Sequence, residues 1–147
     1  MQISKNPLCE IVASSSIYET KPFGIKEQDN FLNAVIKLKT NFELPDLFIF
    51  IKNIEIELGR KQTFKWGPRE IDLDLLFYDD VVLTGENLAI PHPGIHQRDF
   101  VLIPMTEIEP DYIHPVLKQK ISDICIKESE KNIIRIFDKK LLSTSPD

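Results

Sequence analysis

Lys65-Trp66-Gly67-Pro68-Arg69-Glu70-Ile71-Asp72-Leu73-Asp74-Leu75-Leu76-Phe77-Tyr78 is a tight loop carrying an indole and two cations, followed by carboxylates two residues apart. The alternation predicts a strand over 71–78. In a strand, residues i and i+2 share a face. Asp72 and Asp74 therefore project side by side, with Ile71, Leu73 and Leu75 on the other face. Two like charges so placed repel unless a cation bridges them. A hard divalent metal suits that role, because Mg²⁺ takes oxygen ligands and usually binds one or two carboxylates plus substrate phosphates. Read alone, the same pair also fits a solvated edge strand, or ion pairing with Arg69 and Lys65.

The rest of the chain narrows the choice. Its 147 residues suit one domain (1–147) with a real core, and 42% hydrophobic and 28% charged residues are ordinary for a globular protein. A net charge of −5 argues against broad binding to nucleic acid or an anionic membrane, though not against an anionic ligand in a small basic pocket. No apolar run reaches the ~18 residues of a transmembrane helix, and the N-terminus has no signal-peptide pattern. Cys9 and Cys125 lack metal-finger or C-x-x-C spacing, which fits thiols kept reduced in a cytoplasm. The glycines, Gly24, Gly59, Gly67, Gly85 and Gly94, form no phosphate-cradling loop. Any nucleotide phosphate must then be met by side-chain cations and metal.

Residues 10–20 and 31–39 read as strands, the second with Phe31, Asn33, Val35 and Lys37 on one face. Leu44-Pro45-Asp46 opens a helix with Leu47, Ile51, Ile54 and Leu58 at helical spacing, and Gly59 is expected to stop it. Asp79-Asp80 turns the chain after 71–78, and 81–90 reads as a hairpin around Thr84-Gly85-Glu86-Asn87. Residues 95–108 read as a helix interrupted at Pro104, 121–130 as a short helix, 133–137 as a strand and 142–147 as a frayed tail. Strands that follow one another directly imply an antiparallel-rich α+β sheet with helices on one face.

Several side chains outside the opening segment bear chemistry. Phe31, Trp66 and Phe100 have faces able to stack on a flat heterocycle, although each taken singly also fits a core position. Asn33 shares a face with Phe31, and its carboxamide can read a heterocycle's edge or simply be exposed. Arg60, Lys61, Lys65, Arg69, His92, His96 and Arg98 cluster in sequence around the loop, and Arg suits bidentate phosphate contact. His92 and His96 are spaced i, i+4, but Pro93 and Gly94 between them break a helical zinc face, so His92 reads better facing phosphate. Glu55, on the first helix, reads by itself as a solvated residue.

Five ordered blocks then coincide with one family. They are Ser15-Ser16-Ile17-Tyr18-Glu19-Thr20-Lys21-Pro22-Phe23-Gly24; Phe31-Leu32-Asn33-Ala34-Val35; Ile54-Glu55 through Leu58-Gly59-Arg60; Trp66 through Leu76; and Pro91-His92-Pro93 with Arg98-Asp99-Phe100-Val101-Leu102. On these blocks the chain resembles the 6-hydroxymethyl-7,8-dihydropterin pyrophosphokinases of folate biosynthesis, from about residue 10 to residue 124. The resemblance implies a ferredoxin-like α+β fold and transfer of pyrophosphate from ATP to the pterin hydroxymethyl group, releasing AMP. It implies that Asp72 and Asp74 hold two Mg²⁺ ions on the triphosphate, with Arg69 and Arg98 adding charge stabilisation. It implies that Phe31 and Phe100 sandwich the pterin while Asn33 and the backbone of Thr20, Pro22 and Phe23 read its edge. Glu55, Arg60, Trp66, Arg69, His92 and Arg98 are expected to line the ATP side. The implied partners are small molecules, with neither nucleic acid nor membrane, in a monomer open to association with other folate-pathway enzymes.

The chain departs from the family pattern in two places. Members usually open with a strand and a Gly-Ser-Asn-x-Gly-Asp loop, whereas this chain starts at Met1-Gln2-Ile3-Ser4, inside what resembles the following helix. Gln62 stands where a further basic residue is common. An active pyrophosphokinase is the leading expectation. A truncated, non-catalytic remnant that binds pterin or nucleotide is the alternative, and a metal-dependent phosphoesterase would leave the aromatic pair and Asn33 without a task.

Overall fold

Ser15 and Ser16 divide what reads in sequence as one strand. In the computed structural model, which describes residues 5–21, 31–61, 72–127 and 131–138, β1 (Cys9–Ser14) and β2 (Ile17–Thr20) flank that pair. The run 31–39 likewise becomes β3 (Phe31–Asn33) and β4 (Ile36–Thr40). The two breaks face each other. Ser15 N–H donates to the Val35 carbonyl at 2.8 Å, and Val35 N–H donates to Ser15 Oγ at 2.9 Å. A small buried hydroxyl thus takes up a backbone donor at the break, which an apolar side chain would leave unpaired.

The hairpin therefore serves two sheets. β1 pairs antiparallel with β4, Cys9 opposite Thr40 and Ser14 opposite Ile36. β2 pairs with β3, Tyr18 opposite Asn33 and Thr20 opposite Phe31; its other edge pairs antiparallel with β7 (Ile133–Asp138), with Thr20 opposite Ile133. A third, short pairing joins β5 (Leu83–Thr84) to β6 (Ala89–Ile90), the hairpin expected around Gly85. Among the described residues, antiparallel sheets with two α-helices match the expected α+β, ferredoxin-like class.

α1 (Leu44–Lys61) begins as expected, with Pro45 where the missing N–H is harmless and Asp46 in the first turn, facing the helix dipole. Leu47, Ile51 and Ile54 are buried in a cluster with Cys9, and Ile36, Leu38, Leu58, Leu73 and Leu75 pack around them. The helix runs through Gly59 to Lys61 rather than stopping there. A glycine costs a helix about 1 kcal/mol, less than burial of one large aliphatic side chain on the same helix returns.

The expected strand 71–78 carries no ladder pairing over its described residues 72–78. The alternation itself holds: Asp72 and Asp74 are exposed, while Leu73 and Leu75 pack toward α1. A cavity of ≈ 770 Å³ has β4 on one wall and 72–79 on the other. The turn at Asp79-Asp80 is present, with Asp79 left-handed (φ 50°) and Val81 N–H donating to the Tyr78 carbonyl at 3.0 Å. Asp tolerates that conformation better than most residues.

The second helix breaks at Arg98, not at Pro104. A 3₁₀ turn (Ile95–Gln97) precedes α2 (Asp99–Ile108), and Pro104 lies inside α2. Proline forfeits one backbone bond, and burial of Val101, Leu102 and Met105 with Val35, Ile95 and Ile121 offsets that loss. The helix expected at 121–130 is only a 3₁₀ turn (Ile121–Asp123) within the described residues. Ile124 and Ile126 reach the same core two residues apart, a spacing that suits extended chain. The expected tail 142–147 lies outside the described residues. Among the described residues no helix is long and apolar enough to cross a membrane.

His114 fastens the loop after α2. Its buried ring accepts the N–H groups of Val116 and Leu117 at Nδ1, both at 3.1 Å, and sits edge-on to Phe77 with centroids 5.4 Å apart. Burial lowers its pKa, and His96 pushes the same way. The unfolded chain therefore takes up a proton first as pH falls. The stability of the neutral ring is complete above about pH 6.5 and is lost as pH drops toward the lower folded value. Thermal unfolding followed from pH 7.5 to pH 5 is expected to show this decline, and His114→Gln is expected to flatten it.

Candidate functional site

The two exposed carboxylates are presented by a peptide that α1 holds from both sides. Leu73 N–H donates to Glu55 Oε2 at 2.6 Å, and Lys52 Nζ donates to the Leu73 carbonyl at 3.1 Å. Lys52 also lies 3.4 Å from Glu55 Oε2, so the two helix residues, one turn apart, act as a unit. With no ladder at 72–78, these bonds take up backbone groups that a neighbouring strand would otherwise satisfy. They fix the residue between Asp72 and Asp74. The sequence expectation for Glu55 was a solvated residue or a liner of the ATP side; the structure gives one of its oxygens to the Leu73 amide. Nothing in the local pattern marks Lys52. Its role depends on a carbonyl 21 residues away.

Asp72, Asp74 and the two lysines Lys37 and Lys39 all line the ≈ 770 Å³ cavity between β4 and 72–79. Lys37 also forms an ion pair with Glu109 just beyond α2. His92 is tied to the same region through its backbone, its N–H donating to the Leu76 carbonyl at 2.9 Å. Its ring Nδ1 lies 2.7 Å from the Pro93 carbonyl. Among the described residues no group of three or more His, Cys, Asp or Glu side chains is placed to hold a metal. Asp72 and Asp74 nonetheless fit Mg²⁺: both are oxygen donors, both exposed and adjacent on one face, and Mg²⁺ commonly completes its shell with water and substrate oxygens.

On the other sheet, Thr20, Phe31 and Asn33 share one ladder. Thr20 and Phe31 are direct partners, and Asn33 Nδ2 donates to Thr20 Oγ1 at 2.8 Å. This bond fixes the plane of the Asn33 amide. Phe31 and Asn33 are half-buried on one face while Leu32 is exposed on the other, as the alternation predicts. Arg98 and Phe100 stand at the start of α2, with the guanidinium carbon 5.9 Å from the centre of the Phe100 ring, within reach of a cation–π contact. Phe100 also packs against the second core cluster. Arg60 belongs to the last turn of α1, but its side chain lies outside the described residues, as do Pro22, Phe23, Trp66 and Arg69.

Three carboxylate roles escape a reading of the sequence. Besides Glu55, Asp99 Oδ2 accepts the Asn132 and Ile133 N–H groups at 2.7 and 2.9 Å. Glu107 accepts Ser16 N–H at 2.8 Å, Ser16 Oγ–H at 2.8 Å and Tyr18 O–H at 2.9 Å. Burial and the Glu107 carboxylate push the Tyr18 phenol up to about 12, so it remains a donor throughout the neutral range. The one sequence signal for Glu107 is an acid within the apolar run of α2.

Known proteins resemble this chain over most of its length. Residues 1–110 match the family described as 7,8-dihydro-6-hydroxymethylpterin-pyrophosphokinase (HPPK). A 2-amino-4-hydroxy-6-hydroxymethyldihydropteridine pyrophosphokinase from Aquifex aeolicus is 46% identical over 114 residues, covering 78% of this chain and 71% of that protein. The protein of the same name from Haemophilus influenzae is 34% identical, covering 91% of this chain and 83% of its own length. The bifunctional protein FolKE of Lactococcus lactis is 37% identical, with 90% of this chain matched to 39% of the larger protein.

The grip on Leu73 is testable without any substrate. Glu55→Ala leaves the Leu73 N–H without its charged acceptor and is expected to cost about 1–3 kcal/mol in urea unfolding. Glu55→Gln, which keeps an acceptor oxygen, is expected to retain most of that stability.

Proposed function

Because the chain belongs to the 7,8-dihydro-6-hydroxymethylpterin-pyrophosphokinase family, we propose that it transfers pyrophosphate from ATP to the hydroxymethyl group of the reduced pterin, releasing AMP, in folate biosynthesis. The hydroxymethyl oxygen bonds to the β-phosphorus as the bond from that phosphorus to the oxygen retained by AMP breaks. Such transfers depend on in-line positioning and on neutralising the polyphosphate, more than on a covalent catalyst. The proton of the attacking hydroxyl is not assigned to a protein base.

The observation that carries this reading is the Leu73 peptide held by Lys52 and Glu55, with Asp72 and Asp74 exposed on either side. That arrangement supports Asp72 and Asp74 as the holders of Mg²⁺, two ions on the sequence expectation. Bound there, the metal supplies the positive charge that offsets the triphosphate. Arg98 and His92 add cationic and hydrogen-bonding capacity on the nucleotide side, with Glu55, Arg60, Trp66 and Arg69 completing it. The Thr20–Asn33 bond and the half-buried Phe31 support the pterin side, where Asn33 reads the heterocycle's edge and Phe31 and Phe100 flank its faces. Pro22 and Phe23 add backbone contacts there. The same reading makes the protein a cytoplasmic monomer, and the bifunctional Lactococcus relative supports association with another enzyme of the pathway.

Incubation with ATP, Mg²⁺ and the hydroxymethyl pterin is expected to release AMP rather than ADP. Asp72→Asn and Asp74→Ala are each expected to lower kcat at least ~100-fold, about 2.7 kcal/mol of transition-state stabilisation. Their unfolding curves are expected to stay near wild type, because both side chains are exposed. Release of ADP, or near-normal turnover of either variant, would refute the assignment.

A further inference from the structure

α2 carries a carboxylate in its first turn and another in its last; Glu107 bonds at the start of β2, and Asp99 bonds at the start of β7, the strand paired with β2. At the C-terminal end, Glu107 takes three donors from Ser16 and Tyr18, where β2 begins. At the N-terminal end, Asp99 takes the Asn132 and Ile133 N–H groups. Ile133 is the ladder partner of Thr20, and the Asn132 carbonyl accepts Lys21 N–H at 3.0 Å, so this second grip falls where β2 ends. The lengths agree. Eight helical residues rise about 12 Å, and Ser16 to Thr20 in a strand spans about 13 Å. The helix and strand thus lie alongside each other in opposite directions, joined at both ends by carboxylates.

This join bears on the pterin side. Phe100 follows Asp99 directly, and Thr20 is paired across the ladder with Phe31 and hydrogen-bonded to Asn33. Phe31, Thr20 and Ile133 form one row across three strands, about 10 Å from end to end. Asp99 ties Phe100 to the far end of that row. Asp99 is only 4% exposed, and its Oδ1 takes no hydrogen bond among the described residues. An incompletely bonded buried carboxylate is a stability cost, and here the charged Oδ2 accepts two backbone N–H groups at the start of β7.

We infer that Asp99 and Glu107 are positioning residues that set the separation between Phe100 and the Thr20–Phe31–Asn33 ladder, and so govern affinity for the flat heterocycle rather than for ATP. The inference rests on the proposed pterin site. Glu107 touches no substrate in this scheme. It acts through Ser16 and Tyr18 on the strand, as Asp99 acts through β7.

The test combines pterin binding without turnover, read by fluorescence titration, with KM for each substrate. Glu107→Ala and Asp99→Ala are expected to weaken pterin binding and raise pterin KM at least tenfold, with ATP KM within twofold of wild type. Glu107→Gln, which can still accept from Ser16 N–H or Tyr18 O–H, is expected to recover pterin affinity to within about threefold. Tyr18→Phe, which removes one donor and little volume, is expected to weaken pterin binding two- to fivefold. This variant and Glu107→Gln decide the matter should the alanine variants not fold. Pterin affinity unchanged in folded variants, or a parallel rise in both KM values, would overturn the inference. Asn33→Ala separates the two readings. Loss of pterin binding in that variant with none in the Glu107 and Asp99 variants sinks the positioning role alone, whereas normal binding in Asn33→Ala sinks the site and this inference with it.

Discussion

Two hydrogen bonds between Ser15 and Val35 hold the bend on which the two halves of the structure depend. Without the Ser15 hydroxyl, the Val35 N–H would be buried with no acceptor at the bend, a loss of about 1–3 kcal/mol. With it, one hairpin leaves in two directions. β1 and β4 go to α1 and the Asp72–Asp74 segment, and β2 and β3 go to β7 and α2. Val35 itself is buried in the core beneath α2 while its neighbour Ile36 packs toward α1. The bend thus places the carboxylate face and the Phe31–Asn33 face on separate sheets of one continuous hairpin.

Where local pattern and tertiary packing agree, the sequence is readable. Leu47, Ile51 and Ile54 fall on one helical stripe and are buried together, and Asp72 and Asp74 alternate with Leu73 and Leu75 as strand spacing requires. The turn at Asp79 and the short hairpin around Gly85 follow from their residue types. Elsewhere the deciding partner lies far along the chain. Both strand breaks are set by a contact 20 residues apart, and Gly59 and Pro104 are carried inside helices whose apolar faces are buried. The same holds for the residues singled out as site candidates. The carboxylate pair and the shared face of Phe31 and Asn33 are readable from strand alternation, whereas the contacts made by Lys52, Glu55, Asp99 and Glu107 are not. Their partners are backbone groups and hydroxyls 18 to 91 residues away, which no periodicity reports.

Part of the acidic balance of the chain is structural once these roles are separated. Glu55, Asp99 and Glu107 are engaged by N–H and O–H donors, and Lys52 lies beside Glu55. Charge-assisted bonds of this kind are stronger than neutral ones. Asp72 and Asp74 are exposed and line the cavity between β4 and 72–79. A net charge of −5 therefore says little about the local field at the site, because part of the negative charge is committed to holding backbone in place.

The span of the Glu107 contacts has a consequence for the order of assembly. Ser16 and Glu107 are 91 residues apart, against 20 for Ser15 and Val35. Closing the longer loop from an unfolded chain costs about 1.3 kcal/mol more in chain entropy. The hairpin bend is thus the early closure, and the docking of α2 onto β2 the late one. Weakening the bend slows folding, whereas weakening the α2 carboxylates chiefly hastens unfolding. The Thr20–Phe31–Asn33 ladder closes with the hairpin itself, and what arrives late on that side is the α2 face that carries Phe100.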